Sequence, residues 1–393
     1  MTMATNLAKI HFLAMKGKPS FDASNNATFT KGSNATIIQE YDPVEKKHKY
    51  GMIDVGYGES AKLSNSNVPD PREYDTWLLD KYLKVHGIKT LEYVIITHYH
   101  GDHYGNLLYL LKNYASAQIK INNLILPMSE GKIERLKNKM SADETSELVK
   151  RFRQLVCAFT HYKEYFHKDA KLLIFSENPT EDIIKACSIG TGQFKFYNIT
   201  DEENRYADVN STSADDKSNG GNGYSDKFSI VASYTVQGYK VLFPGDIYEL
   251  SENVLLEYEP LEDYDLIQMS HHGSEAANCQ KFLDKIVPSD RGCAAIQQRA
   301  DYTDKTLKRY NKYNDGEIHP NHPFVRVYGV YQDFKEEWGN VDETNRASIV
   351  VEFIDGVVNY YSRRFTATKY AQKLIRPIPE NNATKEKENT TSS

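Results

Sequence analysis

The chain has 393 residues, 40% of them hydrophobic and 26% charged, which is enough for a globular protein of one large domain or two ordinary ones. Its 48 basic and 54 acidic residues leave a net charge of -6, which disfavours a non-specific nucleic-acid binder without excluding a local basic groove. The four cysteines (Cys157, Cys187, Cys279, Cys293) have no Cys-x-x-Cys spacing, so they read as ordinary thiols and not as a zinc ribbon or disulfide framework.

Residues 1–7 lack the apolar core of a signal peptide, and no apolar run is long enough for a transmembrane segment; a cytoplasmic location is expected. Residues 9–14 alternate as a first strand, with His11 taken as a packed, structural histidine. Residues 17–34 are a Gly, Ser, Asn and Pro-rich loop. Residues 36–41 and 50–55 read as a hairpin with a polar tip at 43–48. It ends on Asp54-Val55-Gly56-Tyr57-Gly58, where an aspartate beside glycines is by itself a turn signal. Residues 73–85 have helical spacing (Trp77, Leu78, Tyr82, Leu83), with Gly87 as the stop.

The next stretch carries the chemistry. Residues 93–97 read as a buried strand, and a helix is expected from Leu107 onward. Between them stands His98-Tyr99-His100-Gly101-Asp102-His103. His98 and His100 are two apart, so in extended chain they face the same way, while Asp102 and His103 follow where the chain turns. Three imidazoles and a carboxylate suit zinc or another borderline divalent cation, and Gly101 and Gly105 permit tight turning between them. The alternative, a polar loop that merely contains histidines, does not account for such dense spacing at a strand end.

Residues 123–127 read as another strand. Residues 130–168 are charged and helical, with Leu136, Met140, Leu148, Phe152, Leu155 and Phe159 as the apolar stripe; His161 and His167 near the end are taken as surface or cap groups. Strands are expected at 171–175 and 193–197. Residues 201–227 are polar and read as a flexible loop. Residues 228–234 and 239–246 form a hairpin about Gln237-Gly238, and the return strand ends on Asp246. Residues 264–274 repeat the pattern of a strand ending on ligands, here His271-His272, of which one, with His272 favoured, should bind metal. A strand follows at 294–297. His319 and His322, beside prolines, are candidates for contact with metal or substrate. Residues 348–354 and 357–361 form a closing hairpin about Asp355-Gly356, and 378–393 read as a disordered tail.

The His-x-His-x-Asp-His motif resembles the signature of the metallo-β-lactamase fold superfamily. The pairing of Phe243-Pro244-Gly245-Asp246 with Ser270-His271-His272-Gly273-Ser274 resembles the metallo-hydrolase domain of DNA-uptake channel proteins and the teichoic-acid phosphorylcholine esterases. The resemblance implies an α/β fold, a four-layer αββα sandwich over about 8–370 with a helical insertion at about 130–168. It implies two zinc ions, with manganese or iron as alternatives. His98 and His100 would hold one, Asp102, His103 and His272 the other, and Asp246 would bridge; Asp54 would orient a ligand from behind. Asp102, Asp246 and His322 would serve catalysis. The expected reaction is hydrolysis of a phosphoester or phosphodiester, on a small molecule or a larger phosphodiester, by a metal-activated water. The alternatives are a lactone, thioester or amide hydrolase, or an iron-dependent oxidoreductase. One departure stands out: residues 169–245 contain no histidine to complete the first metal, which is left with His98, His100, Asp246 and water or a more distant group.

Overall fold

The computed structural model describes residues 8–15, 19–21, 27–29, 32–58, 75–113, 119–197, 226, 228–274, 276–287, 293–297, 326–329, 347–354, 357–365 and 370–378. Strand alternation assigns the layers. Tyr93 and Ile95 join one apolar cluster and Val94 another; Ile125 separates in the same way from Leu124 and Leu126, and Ile53 from Met52. These strands are apolar on both faces because both faces are covered.

Two sheets result. The ten-stranded one runs Tyr370–Ile378, Val357–Phe365, Ala347–Ile354, Ala8–Phe12, Ala35–Asp42, Lys47–Val55, Tyr93–Ile95, Lys120–Leu126, with Phe166–Ile174 on the far side of the last and Thr90–Leu91 beside its start. Pairing is antiparallel as far as Lys47–Val55 and parallel beyond it. The six-stranded sheet runs Gln193–Tyr197, Val231–Val236, Tyr239–Phe243, Leu266–Gln268, Cys293–Ile296, Arg326–Gly329, and is parallel from Tyr239–Phe243 onward. A separate two-stranded hairpin joins Pro19–Phe21 and Ala27–Phe29.

The sheets face each other across a core that includes Ile10, Phe12, Ile38, Ile53, Phe194, Tyr234 and Phe243; the Phe12 and Phe243 rings, 6.4 Å apart, cross it. Each such side chain contributes roughly 1.5–3 kcal/mol by leaving water. Helices Asp75–Val85, Gly101–Asn113, Glu130–Leu136 and Ala142–His161 cover the outer face of the large sheet through Leu79, Leu83, Leu107, Ile133, Leu148 and Leu155. Helices Glu249–Tyr258 and Gln280–Ile286 cover the small sheet through Val254, Leu255, Phe282 and Leu283. The architecture is therefore α/β, the four-layer αββα sandwich. Ser129 and Ser141 begin the two inserted helices by accepting from the Lys132 and Glu144 amides, each at 3.1 Å.

Three expectations change. The helix after the metal motif starts at Gly101, not at Leu107, so Asp102 and His103 lie in its first turn. Gly105 lies inside that helix, and its need is proximity: a Cβ there would stand 2.5 Å from the Gly58 nitrogen. The closing hairpin acquires a third strand, Tyr370–Ile378. Residues 201–225, the tail from 379, His319 and His322 lie outside the described residues. Among the described residues, no helix is long and apolar enough to cross a membrane.

Candidate metal centre

The site lies where parallel strands of both sheets end, the place at which α/β folds gather ligands. Lys47–Val55 carries Asp54 one residue before its end, Tyr93–Ile95 leads to His98 and His100, Tyr239–Phe243 leads to Asp246, and Leu266–Gln268 leads to His271 and His272. Cross-links fix these ends. Ile230 N donates to Thr97 O at 2.9 Å, His271 N to Gly245 O at 3.0 Å, and Asn34 N to Asp102 O at 3.2 Å. Beneath them Gln297 Nε2 donates to the main-chain oxygens of Leu13 and Ala35, at 3.1 and 3.0 Å, tying one sheet to the other.

Three groups of side chains bring ligand atoms within 4.8 Å of one another: His98, His103 and Asp246; His98, His100 and Asp226; Asp102, His103 and His272. Asp246 is central. Its Oδ2 is 3.0 Å from His103 Nε2, 3.4 Å from His272 Nε2 and 3.9 Å from His98 Nε2. Its Oδ1 lies 3.4 Å from Asn34 Nδ2. His272 Nε2 is also 3.4 Å from Asp102 Oδ2.

Asp54 stands behind. Its Oδ1 accepts from Thr97 N and its Oδ2 from Thr97 Oγ1, both at 2.8 Å, and Oδ2 is 2.7 Å from His103 Nδ1. A carboxylate only accepts, so His103 Nδ1 donates to Asp54, while Nε2, 3.0 Å from Asp246 Oδ2, faces the site. The same logic passes one residue on. The Thr97 hydroxyl hydrogen goes to Asp54, so Thr97 Oγ1 accepts from His98 Nδ1 at 3.1 Å and His98 Nε2 also faces the site. One buried carboxylate thus orients two of the site's imidazoles, His103 directly and His98 through Thr97.

The electrostatics fit a cation. Burial works against charge on Asp102, Asp226 and Asp246, yet neighbouring imidazoles outweigh it and hold all three below the ordinary carboxylate range. Burial likewise opposes charge on His103 and His272. The Asp246 carboxylate outweighs it, lifting His103 well above its usual value and His272 to about 9. His98 is pushed down by burial and by the charge of His103. His98 Nε2, His272 Nε2 and Asp226 Oδ1 are buried without a hydrogen-bond partner, a costly arrangement unless something coordinates them.

Residues 31–171, which contain Asp54 and the whole His98 to His103 motif, match the family model of the metallo-beta-lactamase superfamily. This segment is a metallo-β-lactamase superfamily domain. Its family and its ligand sets together support a metal-dependent hydrolase. Among solved structures, a diphosphatase from the PhnP family aligns with 82% of this chain and 94% of its own, at 11% identity and a TM-score of 0.36. No curated protein matches the chain.

Two features of the site differ from the sequence reading. Asp226, 1% exposed, stands among the candidate ligand groups, with Oδ1 2.8 Å from His100 Nδ1 and 3.2 Å from His98 Nε2. It lies at the end of the tract read as a flexible loop. Its signal was an acid two residues before the apolar 228–234 run, in the region that lacked a histidine. Secondly, the strand before the histidine pair ends at Gln268, and Ser270–Gly273 forms a tight turn in which His271 (φ 46) and His272 (φ 55) are both left-handed. Strand alternation therefore does not separate these two side chains; the turn does.

Proposed function

We propose that this metallo-β-lactamase domain hydrolyses a phosphoester, with a phosphodiester favoured, using two divalent cations of which zinc is the first choice. The observation that carries the proposal is Asp246 Oδ2, which lies within 4 Å of imidazole nitrogens belonging to both sides of the site. A carboxylate so shared is the group expected to bridge two cations. His98, His100 and Asp226 would hold one cation, and Asp102, His103 and His272 the other. Bound there, the cations would supply Lewis acidity, making a neutral-pH nucleophile from water and offsetting charge on phosphoryl oxygens. The protein's own part is orientation. Asp54 and Thr97 aim His98 and His103, Asn34 steadies Asp246, and burial of these groups keeps bulk water from competing for them. The phosphoester preference rests on the paired Gly245-Asp246 and His271-His272-Gly273 elements, which resemble those of the phosphorylcholine esterases.

The test is a panel of chromogenic phosphodiesters, phosphomonoesters, lactones and β-lactams, run on chelator-treated protein and after return of zinc or manganese. Turnover of the phosphodiesters, lost on chelation and restored by metal, is expected. Preferential turnover of lactones or β-lactams would overturn the substrate class.

A further inference from the structure

The superfamily resemblance calls for a third histidine at the first cation position, and the sequence has none between residues 169 and 245. In that place the structure has a carboxylate that is built in. Asp226 is 1% exposed, and its Oδ1 faces both His98 Nε2 and His100 Nδ1. Both Asp226 Oδ1 and His98 Nε2 lack a hydrogen-bond partner, so their approach is not a hydrogen bond that accounts for itself. The main chain holds the carboxylate there. Asp226 O accepts from Ser229 N at 2.9 Å, and Ser229 Oγ accepts from Asp246 N at 3.2 Å, so one serine ties the backbones of Asp226 and Asp246 together.

We infer that Asp226 is the third protein ligand of the first position, and that this makes the position oxygen-rich enough for manganese(II) to compete there with zinc. Each position then has two imidazoles and a carboxylate of its own, with Asp246 between them. Carboxylate oxygens suit harder cations such as manganese, whereas imidazole favours zinc. With Asp102, Asp226 and Asp246 all ionised, two divalent cations would retain one net positive charge, where a histidine at position 226 would leave two. The cost of a histidine in this place is therefore greater repulsion between the cations and a set that discriminates more strongly for zinc. The inference rests on the two-cation reading above, and the experiment separates the two.

Chelator-treated full-length protein is dialysed against equal buffered zinc and manganese at neutral pH. Metal per chain is counted by mass spectrometry, and manganese is followed by electron paramagnetic resonance. The wild type should bind two ions, with manganese making up a measurable share of the bound metal. Asp226→Asn, which preserves shape, should hold one ion and keep the wild-type circular dichroism. Asp226→His should hold two, with the manganese to zinc ratio at least tenfold lower. Two tightly held ions in Asp226→Asn, or an unchanged ratio in Asp226→His, would overturn the inference while leaving the two-cation reading standing. A wild type that binds no metal would sink both.

Discussion

Arg151, on the inserted helix Ala142–His161, donates through Nη1 to the main-chain oxygen of Tyr99 at 2.5 Å. Tyr99 lies between His98 and His100, and its hydroxyl donates to Met128 O at 2.5 Å. The insertion thereby fastens the peptide that spaces the two histidines. Arg151 is itself oriented by Glu147 at 2.9 Å, one helical turn earlier. Arg151→Met keeps the stem but removes the donor. We expect turnover to fall about tenfold and first-position metal affinity to weaken by a similar factor, as for other outer supports of metal ligands. Arg151→Lys should recover part of both. Metal titration and steady-state kinetics on the three proteins check this; an unaltered Arg151→Met would reduce the insertion to a cover for the sheet.

Thr97 has a narrower task. Its hydroxyl donates to Asp54 Oδ2 and stands 3.1 Å from His98 Nδ1. Thr97→Val is nearly isosteric, so packing survives while His98 loses its acceptor and Asp54 loses a donor. We expect a 10–100-fold loss of metal affinity, confined to the position His98 serves. Equal weakening of both positions would mean that the hydroxyl supports Asp54 alone.

How much of this was legible depends on how local each signal is. His98, His100, Asp102 and His103 stand within six residues at the end of an apolar strand, so proximity in sequence advertises proximity in space. Asp246 and His272 each follow within four residues of a short, mostly apolar strand, and are visible for the same reason. Asp226 has no such company: the polar tract before it hides one buried acid among several that could face water. The helix start at Gly101 was missed because Gly, Asp and His read as a turn, although a helix's first turn accepts polar and acidic residues readily. The strand Tyr370–Ile378 contains Lys373, Arg376 and Pro377, which a central strand would not tolerate. It pairs only with Val357–Phe365 and lies at the sheet edge, where charge and proline are ordinary. The left-handed conformations of His271 and His272 leave no trace in sequence, since no glycine or asparagine marks either position.

Asp246→Asn preserves size but removes the charge shared by both sides of the site. It also removes the partner that holds His103 and His272 above their usual values. Turnover should drop about a thousandfold or more, and bound metal should fall from two ions per chain towards one. Activity near that of the wild type would reduce Asp246 to a turn residue.

Glu252 gives a pH dependence. It is fully buried on helix Glu249–Tyr258, and its oxygens accept from Asn278 N at 2.5 Å and Cys279 N at 2.8 Å. Asn278 in turn bonds both the nitrogen and the oxygen of Ser270, at 2.9 Å each, just before the histidine turn. Burial lifts Glu252 to about 7 against those two amide donors. The folded protein therefore keeps this proton at a pH where the unfolded chain, at the ordinary value of 4.5, has lost it. Stability on this account falls as pH rises from about 4.5 to about 7 and is level above that, by about 3 kcal/mol at most. Denaturation of wild type and Glu252→Gln at pH 5 and pH 8 tests it. The stability of wild type relative to the variant should be lower at pH 8, and a difference that is the same at both pH values would contradict the assignment.

The last prediction separates the neighbouring histidines. His272 is 4% exposed, its Nε2 lies 3.4 Å from both Asp102 and Asp246, and it belongs to a ligand triad. His271 approaches only Asp246, at 3.8 Å, and keeps a quarter of its side chain exposed. Its ring packs edge-on against Tyr248 at 4.6 Å, which turns it towards the rim. Two consecutive left-handed residues make this possible, at a backbone cost of order 1 kcal/mol each that the Asn278 clamp on Ser270 helps to hold. His272→Ala should therefore lose one metal and activity together. His271→Ala should keep both metals and lose about tenfold in turnover, because it removes a polar group at the rim of the site and no ligand. Metal stoichiometry measured beside turnover in both variants decides the matter. If His271→Ala loses metal and His272→Ala retains it, the second cation position is built on the other histidine, and the ligand set of Asp102, His103 and His272 is wrong.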